Sequence, residues 1–248
     1  MREKIVVSID AMGGDRGVDA IVGGINRSLH INDKLQFLIH GNKSEIDEKI
    51  KRYSKIGPSC SVISCDSVVA MDEKPSTALR SGKKSSMWSS LNSLAKGDAN
   101  IALSGGNTGA LMAMSMMQLR KAPGVNRPAI AILWPSTNHR GFNIVLDAGA
   151  DVKADSGDLL QYALMGATYA KTGFSIKMPR IGLLNVGTEI HKGRNELYDA
   201  SLLIKEAEKN TKSFKFLGYV EGGDLPSSKV DVIVTDGFTG NVALKTGE

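Results

Sequence analysis

Short apolar, β-branched runs alternate with longer amphipathic segments along the whole 248-residue sequence, and this alternation limits the fold more than any other feature. Strands are read near Lys4–Ile9, Leu35–Ile39, Ser61–Ser64, Asn100–Leu103, Ala129–Leu133, Asn143–Leu146, Ile181–Asn185 and Asp231–Thr235. Helical patterns fall near Val18–Ile31, Ser44–Tyr53, Ser76–Lys96, Thr108–Lys121, Gly157–Lys171 and Asn195–Thr211. Strands alternating with helices in this way imply an α/β protein with a largely parallel sheet. No fixed-period repeat, low-complexity stretch or Pro/Gly/Ser-rich linker cuts the chain, so residues 1–248 read as a single α/β domain. At the end, DVIVTD leads into GFTGNVALKTGE, a loop with only a turn or two of helix. Such a helix has little face to bury, so the chain is expected to be a fragment.

Strand ends are where open α/β sheets bind ligands. Three of them carry glycine-rich loops: Asp10-Ala-Met-Gly-Gly-Asp-Arg-Gly17, Ser104-Gly-Gly-Asn-Thr-Gly-Ala110 and Asp236-Gly-Phe-Thr-Gly-Asn241. Glycine lets backbone amides approach an anion closely, and a following helix adds the positive end of its dipole. Asn107 is a good N-cap whose amide is also able to donate to a phosphate or thioester oxygen. Any one loop taken singly reads first as a tight turn between strand and helix. Together they point to a polar site for an anion.

Two further stretches supply cations. In Lys74-Pro-Ser-Thr-Ala-Leu-Arg80-Ser-Gly-Lys83-Lys84-Ser-Ser-Met87, helical spacing puts Arg80, Lys83, Lys84 and Met87 on one broad face. That face is either solvated or turned to an acidic neighbour. In Asn185-Val-Gly-Thr-Glu189-Ile-His191-Lys192-Gly193-Arg-Asn195, Lys192 either pairs with Glu189 or faces a ligand. His191 has a pKa range suited to acid–base work, but a lone His in a polar loop reads first as an exposed residue, and His30, His40 and His139 are given no role.

Other chemistries lack their signatures. The sequence has no G-x-G-x-x-G, no P-loop, no G-x-S-x-G elbow, no H-E-x-x-H and no Cys/His cluster with zinc spacing. Asp10, Asp15, Asp147 and Asp236 lie at strand ends, where they serve as caps and turn formers or as a carboxylate metal site. Cys60 and Cys65 form no CxxC pair and read as reduced structural thiols. Aromatic residues are 5%, too few for a base-stacking surface, and the excess of 31 basic over 26 acidic side chains favours an acidic partner weakly. The apolar run at the start is too short for a signal peptide, and no stretch approaches the roughly 18 residues of a membrane span. A cytoplasmic address is expected.

The loops also line up with a known family. DAMGGD at 10–15, M-D-E-x-P…R…KKSSM at 71–87, SGGNTGALM at 104–112 and RPA at 127–129 resemble the PlsX-type phosphate acyltransferases. So do LDAGA at 146–150, QYALMG at 161–166, LLNVGTE at 183–189 and DGFTGNVALK at 236–245, in order over essentially the whole chain. The resemblance implies a three-layer α/β/α fold of the isocitrate/isopropylmalate dehydrogenase type, shared with phosphotransacetylases and here C-terminally incomplete. It also implies a homodimer without metal or organic cofactor, and a reaction that moves a fatty acyl group from acyl carrier protein to inorganic phosphate. The acyl phosphate would feed a membrane acyltransferase, with peripheral membrane contact. The chain departs from the family pattern at Val18, Gly105 and Asp151, and Arg194 reads as an insertion.

On that resemblance Asn107, Lys84, Lys192 and Asp236 are the expected catalytic residues. Substrate binding is expected from Asp10, Gly13, Gly14, Asp15, Ser104, Gly105, Gly106, Thr108, Gly109, Asn185, Glu189, Gly237 and Asn241. Arg80 and Lys83 are expected to dock the acidic carrier protein. The competing readings are a short-chain transferase of the phosphotransacetylase kind and a non-catalytic phosphate-binding scaffold on the same fold.

Overall fold

The computed structural model describes residues 4–53, 56–189 and 191–248. The chain divides into two compact units, residues up to Arg120 and residues from Lys121 onward. Each has its own sheet, a division that the even alternation of strand and helix does not announce.

The first unit runs β1 (Ile5–Asp10), α1 (Gly17–Ile31), β2 (Leu35–Gly41), α2 (Lys43–Ile50), β3 (Cys60–Ser64), α3 (Pro75–Ser81), α4 (Ser86–Ala95), β4 (Ile101–Ser104) and α5 (Thr108–Leu119). Its four strands are all parallel, in the order β3-β2-β1-β4. The chain therefore steps outward from β1 to β3 and then crosses back to the other side of β1. The switch point lies between β1 and β4, where Asp10 and Ser104 are opposite each other in the register. Ile9, Val22, Ile25, Phe37, Ile39 and Ile46 form one core, and Met87, Leu91, Ala110 and Met114 help form a second. Each large side chain so buried contributes roughly 1.5–3 kcal/mol.

The single helix expected over 76–96 is two helices with a short 3-10 turn at Gly82–Lys84 between them. Ser85 explains the break. Its backbone is extended, and its Oγ donates to the Gly82 carbonyl at 2.6 Å and accepts from the Trp88 amide at 3.2 Å. The side chain thus replaces the helical bonds with a cap. As a result Met87 is buried in the core while Arg80, Lys83 and Lys84 stay exposed, so the four do not share one face.

The second unit contains β5 (Ile132–Pro135), β6 (Phe142–Leu146), α6 (Ser156–Phe174), β7 (Arg180–Leu184), α7 (Asn195–Thr211), β8 (Lys215–Val220), β9 (Val232–Val234) and α8 (Gly237–Gly247). Its order is β5-β6-β9-β7-β8, with β5 antiparallel to β6 and the remaining pairs parallel. β9 returns to the middle, so the ends of β6, β9 and β7 stand side by side. Tyr162, Leu159, Ile181, Leu183, Ile204, Phe214 and Val232 pack the main core. At the opposite ends of these strands, buried Asp231 receives bonds from the Arg180 backbone and guanidinium at 2.8–3.0 Å and from Asn138 at 3.0 Å. Among the described residues, no helix is long and apolar enough to cross a membrane.

Candidate functional site

In the first unit the glycine loops after β1 and β4 meet backbone to backbone. A Cβ at Gly13 would lie 2.7 Å from both Asp10 Oδ2 and the Gly106 nitrogen, so only glycine permits this approach. Asp10 is buried beneath the junction. It accepts from Ser104 Oγ at 2.7 Å and from the Met12 amide at 3.3 Å, and Ser104 Oγ in turn accepts from the Gly106 amide at 3.1 Å. Asp10 and Ser104 therefore hold the two loops together. Asp15, Gly105 and Thr108 are exposed on the outside of the junction, Gly14 and Gly109 are half-buried, and Gly106 is buried.

Asn107 is held by backbone groups. Its Oδ1 caps α5 through the Ala110 amide at 3.0 Å, as its type predicts. Its Nδ2, expected to donate to a substrate oxygen, donates to the carbonyls of Met71 at 2.9 Å and Glu73 at 2.8 Å, with the Ala70 carbonyl at 3.3 Å. A carboxamide has two N–H donors, and both are spent on pinning the 70–73 turn to the start of α5. In this arrangement Asn107 ties the 70–73 turn to the start of α5. Lys84 is exposed, 4.0 Å from Asp66, and Arg80 and Lys83 are exposed as well.

His40, given no role in the sequence, is fully buried one residue before the end of β2. Ser8 Oγ donates its one proton to the Ser90 carbonyl, so His40 Nε2 donates to Ser8 at 2.9 Å and Nδ1 accepts from Ser89 at 2.8 Å. Burial lowers its pKa to about 4, partly opposed by nearby Asp10. Burial likewise pushes the Cys60 thiol up to about 11, which keeps it protonated.

In the second unit three strand ends carry the polar groups. Asp147, at the end of β6, is fully buried, and its carboxylate accepts the amides of Ile130 at 2.8 Å, Gly149 at 3.2 Å, Ala150 at 3.0 Å and Asp151 at 2.7 Å. This is the capping reading of that residue. The Asp151 carbonyl then takes the Gly237 amide at 2.8 Å, so that amide, expected to bind substrate, is already occupied. Asp236 caps α8 through the Thr239 amide and hydroxyl and is ion-paired with Arg194. Asn241 is exposed on the first turns of α8.

The loop after β7 is closed by Asn185, whose Oδ1 accepts the Val186 amide and whose Nδ2 donates to the Lys192 carbonyl, both at 2.9 Å. Gly193 lies directly over that carboxamide with φ +92°, where a side chain would collide with Asn185 Oδ1. Lys192 is paired with Glu189 at 2.8 Å. The hydrogen bond between them lowers the Glu189 pKa and raises that of Lys192. Arg194, which reads as an insertion in the sequence, instead reaches back to buried Asp236 from the N-cap of α7. Arg127 opens the RPA motif. It bonds Asp151 at 2.7 Å and stands 3.9 Å from Asp158, its charge state reinforced first by Asp151. Only the RPA and LDAGA motifs marked that corner in the sequence.

Asn185, Gly193, Arg194, Asp236 and Thr239 rim a cleft of about 460 Å³ whose walls are mostly aliphatic. The arrangement offers helix N-termini, a guanidinium and an aliphatic wall side by side. That set of groups is able to hold an oxyanion next to an apolar group.

Comparison with known proteins gives the family. The phosphate acyltransferases of Paracoccus denitrificans (strain Pd 1222) and Jannaschia sp. (strain CCS1) are each 57% identical over 98% of this chain, which spans 66% of their length. Among solved structures, the EutD phosphotransacetylase from Staphylococcus aureus has a TM-score of 0.69 and a phosphotransacetylase from Streptococcus pyogenes one of 0.71. Both are 14% identical, matching 98% of this chain and 81% of theirs, which shows the shared fold. Residues 5–248 match the family described as fatty acid synthesis protein, and with these relatives the chain belongs to that family, the PlsX-type phosphate acyltransferases.

Proposed function

We propose that the protein transfers a long-chain fatty acyl group from the thioester of acyl carrier protein to inorganic phosphate. The observation that supports this most is the second-unit rim, where helix N-termini and a guanidinium lie against an aliphatic cleft. In the reaction a phosphate oxygen attacks the thioester carbonyl, a C–O bond forms and the C–S bond breaks. The phosphate proton leaves with the carrier's thiol, giving acyl phosphate and free carrier. Phosphate is anionic near neutral pH, so no Ser or Cys intermediate is required. The protein has to orient the two reactants and stabilise the tetrahedral oxyanion.

The proposed groups divide between the units. Backbone amides at the start of α5 around Thr108 and Gly109, with Lys84, serve the first. Lys192, Asp236 and Asn241 serve the second, while Arg80 and Lys83 meet the acidic carrier. The same reading carries a cytoplasmic homodimer and a membrane acyltransferase that receives the product at a membrane surface. Hydroxylamine trapping tests the activity: the protein with palmitoyl-acyl carrier protein and phosphate should yield a phosphate-dependent hydroxamate. An intact carrier thioester after incubation would reject the transfer. Conversion of acetyl but not palmitoyl thioesters would favour the short-chain reading drawn from the fold. Carrier docking through Arg80 and Lys83 should weaken steeply with added salt, whereas phosphate saturation should respond less.

A further inference from the structure

The start of α8 is seated on two aspartates, and an arginine holds each of them. Thr239 gives its amide to the buried carboxylate of Asp236, which is ion-paired with Arg194. Gly237 gives its amide to the Asp151 carbonyl at 2.8 Å, and the Asp151 carboxylate accepts from Nη1 of Arg127 at 2.7 Å. The amide of Phe238 lies between these two and has no partner among the described residues. The contact at Gly237 is backbone on backbone: a Cβ there would lie 2.6 Å from both the Asp151 carbonyl oxygen and Asp147 Oδ2. With no side chain to absorb it, a shift of Asp151 passes directly to α8.

Charge explains why Arg127 matters to this corner. Asp147 is fully buried, and the side chains of Asp151 and Asp158 are 11% and 10% exposed. Four backbone amides satisfy Asp147. Among the described residues Arg127 is the one cation paired with the other two, at 2.7 Å from Asp151 and 3.9 Å from Asp158. Tyr162, one turn beyond Asp158 on α6, is fully buried, and burial followed by the three carboxylates raises its pKa. Its hydroxyl has no partner among the described residues, so it gives these carboxylates no hydrogen bond. A guanidinium shared between two nearly buried carboxylates is costly to remove and fixes the segments that carry them.

We propose that Arg127 is a positioning residue for the second unit's anion-binding groups: it fixes Asp151, Asp151 seats the first amide of α8, and the turn carrying Asp236 and Asn241 is thereby aimed. The assignment rests on the transferase reading, in which that turn meets phosphate, and deepens it by naming what orients the turn. Arg127 acts through Asp151 and does not touch substrate.

Amide hydrogen exchange and steady-state kinetics on R127Q and R127K test this together. R127Q should speed exchange at Gly237 by roughly tenfold or more and leave the amides of β8, outside this corner, unchanged. In the same variant the KM for phosphate should rise by roughly three- to thirtyfold, with kcat and the KM for palmitoyl-acyl carrier protein within about twofold of the parent. R127K should recover part of both effects, since an ammonium returns the charge without the fork. D151A keeps the test decisive if R127Q unfolds, because it takes a carboxylate from the corner and leaves the cation. It should show the same signature, and R127K should change nothing further in the D151A background. Gly237 exchange unmoved in folded R127Q or in D151A would overturn the proposal. Faster Gly237 exchange with an unchanged KM for phosphate would do so as well, since Arg127 would then only stabilise the fold. Failure of the transferase reading looks different: the parent protein forms no hydroxamate, while R127Q still speeds Gly237 exchange and weakens inorganic phosphate in isothermal titration.

Discussion

The loop after β4 and the loop after β7 both follow the end of a parallel strand, yet they spend their polar side chains in opposite ways. Asn107 donates its amide protons to two backbone carbonyls and accepts the Ala110 amide on Oδ1, so it fastens a turn to a helix. Arg194 gives one N–H to Asp236 and keeps the rest at the surface of an aliphatic cleft. Donor capacity decides the difference. A carboxamide is exhausted by the demands of a cap and two carbonyls, whereas a guanidinium meets one carboxylate and retains a fork.

The largest effect expected from breaking such a loop lies at Asp147. Four backbone amides depend on its carboxylate in a fully buried position. Asp147→Ala should leave them without partners and cost at least about 4 kcal/mol, at about 1–3 kcal/mol for each stranded group. Urea denaturation measures it. A loss below about 1 kcal/mol would mean that the 147–151 loop is held by something other than this residue.

Acid should separate the two units. His40 has an ordinary pKa of 6.5 and is held at about 4 in the fold by burial, so the unfolded chain binds the proton more tightly. Its contribution is complete above pH 6.5 and is lost as the pH falls toward 4, amounting to about 3 kcal/mol. In the second unit, burial alone would raise the Asp231 carboxyl, but hydrogen bonds from Arg180 and Asn138 outweigh it and hold it below 3.8. Its contribution is complete above 3.8 and fades only as the pH falls through its lowered value. Hydrogen exchange followed from pH 7 to pH 4 should therefore show the first unit's β1 and β2 amides losing protection before those of β7 and β9. The reverse order would refute the burial argument for His40.

How much of this was legible in advance differs between fold and site. The strand-helix alternation gave the α/β class and eight of the strands, because buried parallel strands need continuous apolar runs that stand out from amphipathic helices. β8 does not stand out as a strand in the sequence: Gly218, with φ +83°, interrupts KFLGYV, and the pairing with β7 carries a register shift. The helix break at Ser85 was invisible because the same serine suits a helix interior and a cap. At the site, residue types marked the right loops but not the direction of each side chain. Asn107 looked like a donor to substrate because its three backbone partners come from residues 70–73, more than thirty positions away. Arg194 looked like an inserted residue because Asp236, its partner, lies 42 positions further on.

Asn107→Ala tests the first half of the opening comparison at intermediate size. Loss of the cap and of the carbonyl contacts should cost about 2 kcal/mol. Turnover should fall only as far as the loop is loosened, and Asn107→Ser, which retains a capping oxygen, should recover part of the stability. A large loss of turnover with an unchanged urea midpoint would instead return Asn107 to the substrate.

The smallest stability effect is expected at Lys192, and it sharpens the second half. Lys192 and Glu189 are both about half exposed and three residues apart, a setting in which water screens the charges and an ion pair adds little to stability. Lys192→Ala should therefore leave the urea midpoint where it is. Any change in turnover then reports on the charge near the substrate alone. If the cation of this loop is Arg194, Lys192→Ala should raise the KM for phosphate by no more than a few-fold at low salt, and added salt should erase the difference because an exposed charge acts at long range. A loss of a hundredfold or more in kcat at both low and high salt would place the ammonium on the reacting atoms. Lys192 would then have to leave Glu189 when substrate arrives, and the assignment of the two cations would be exchanged.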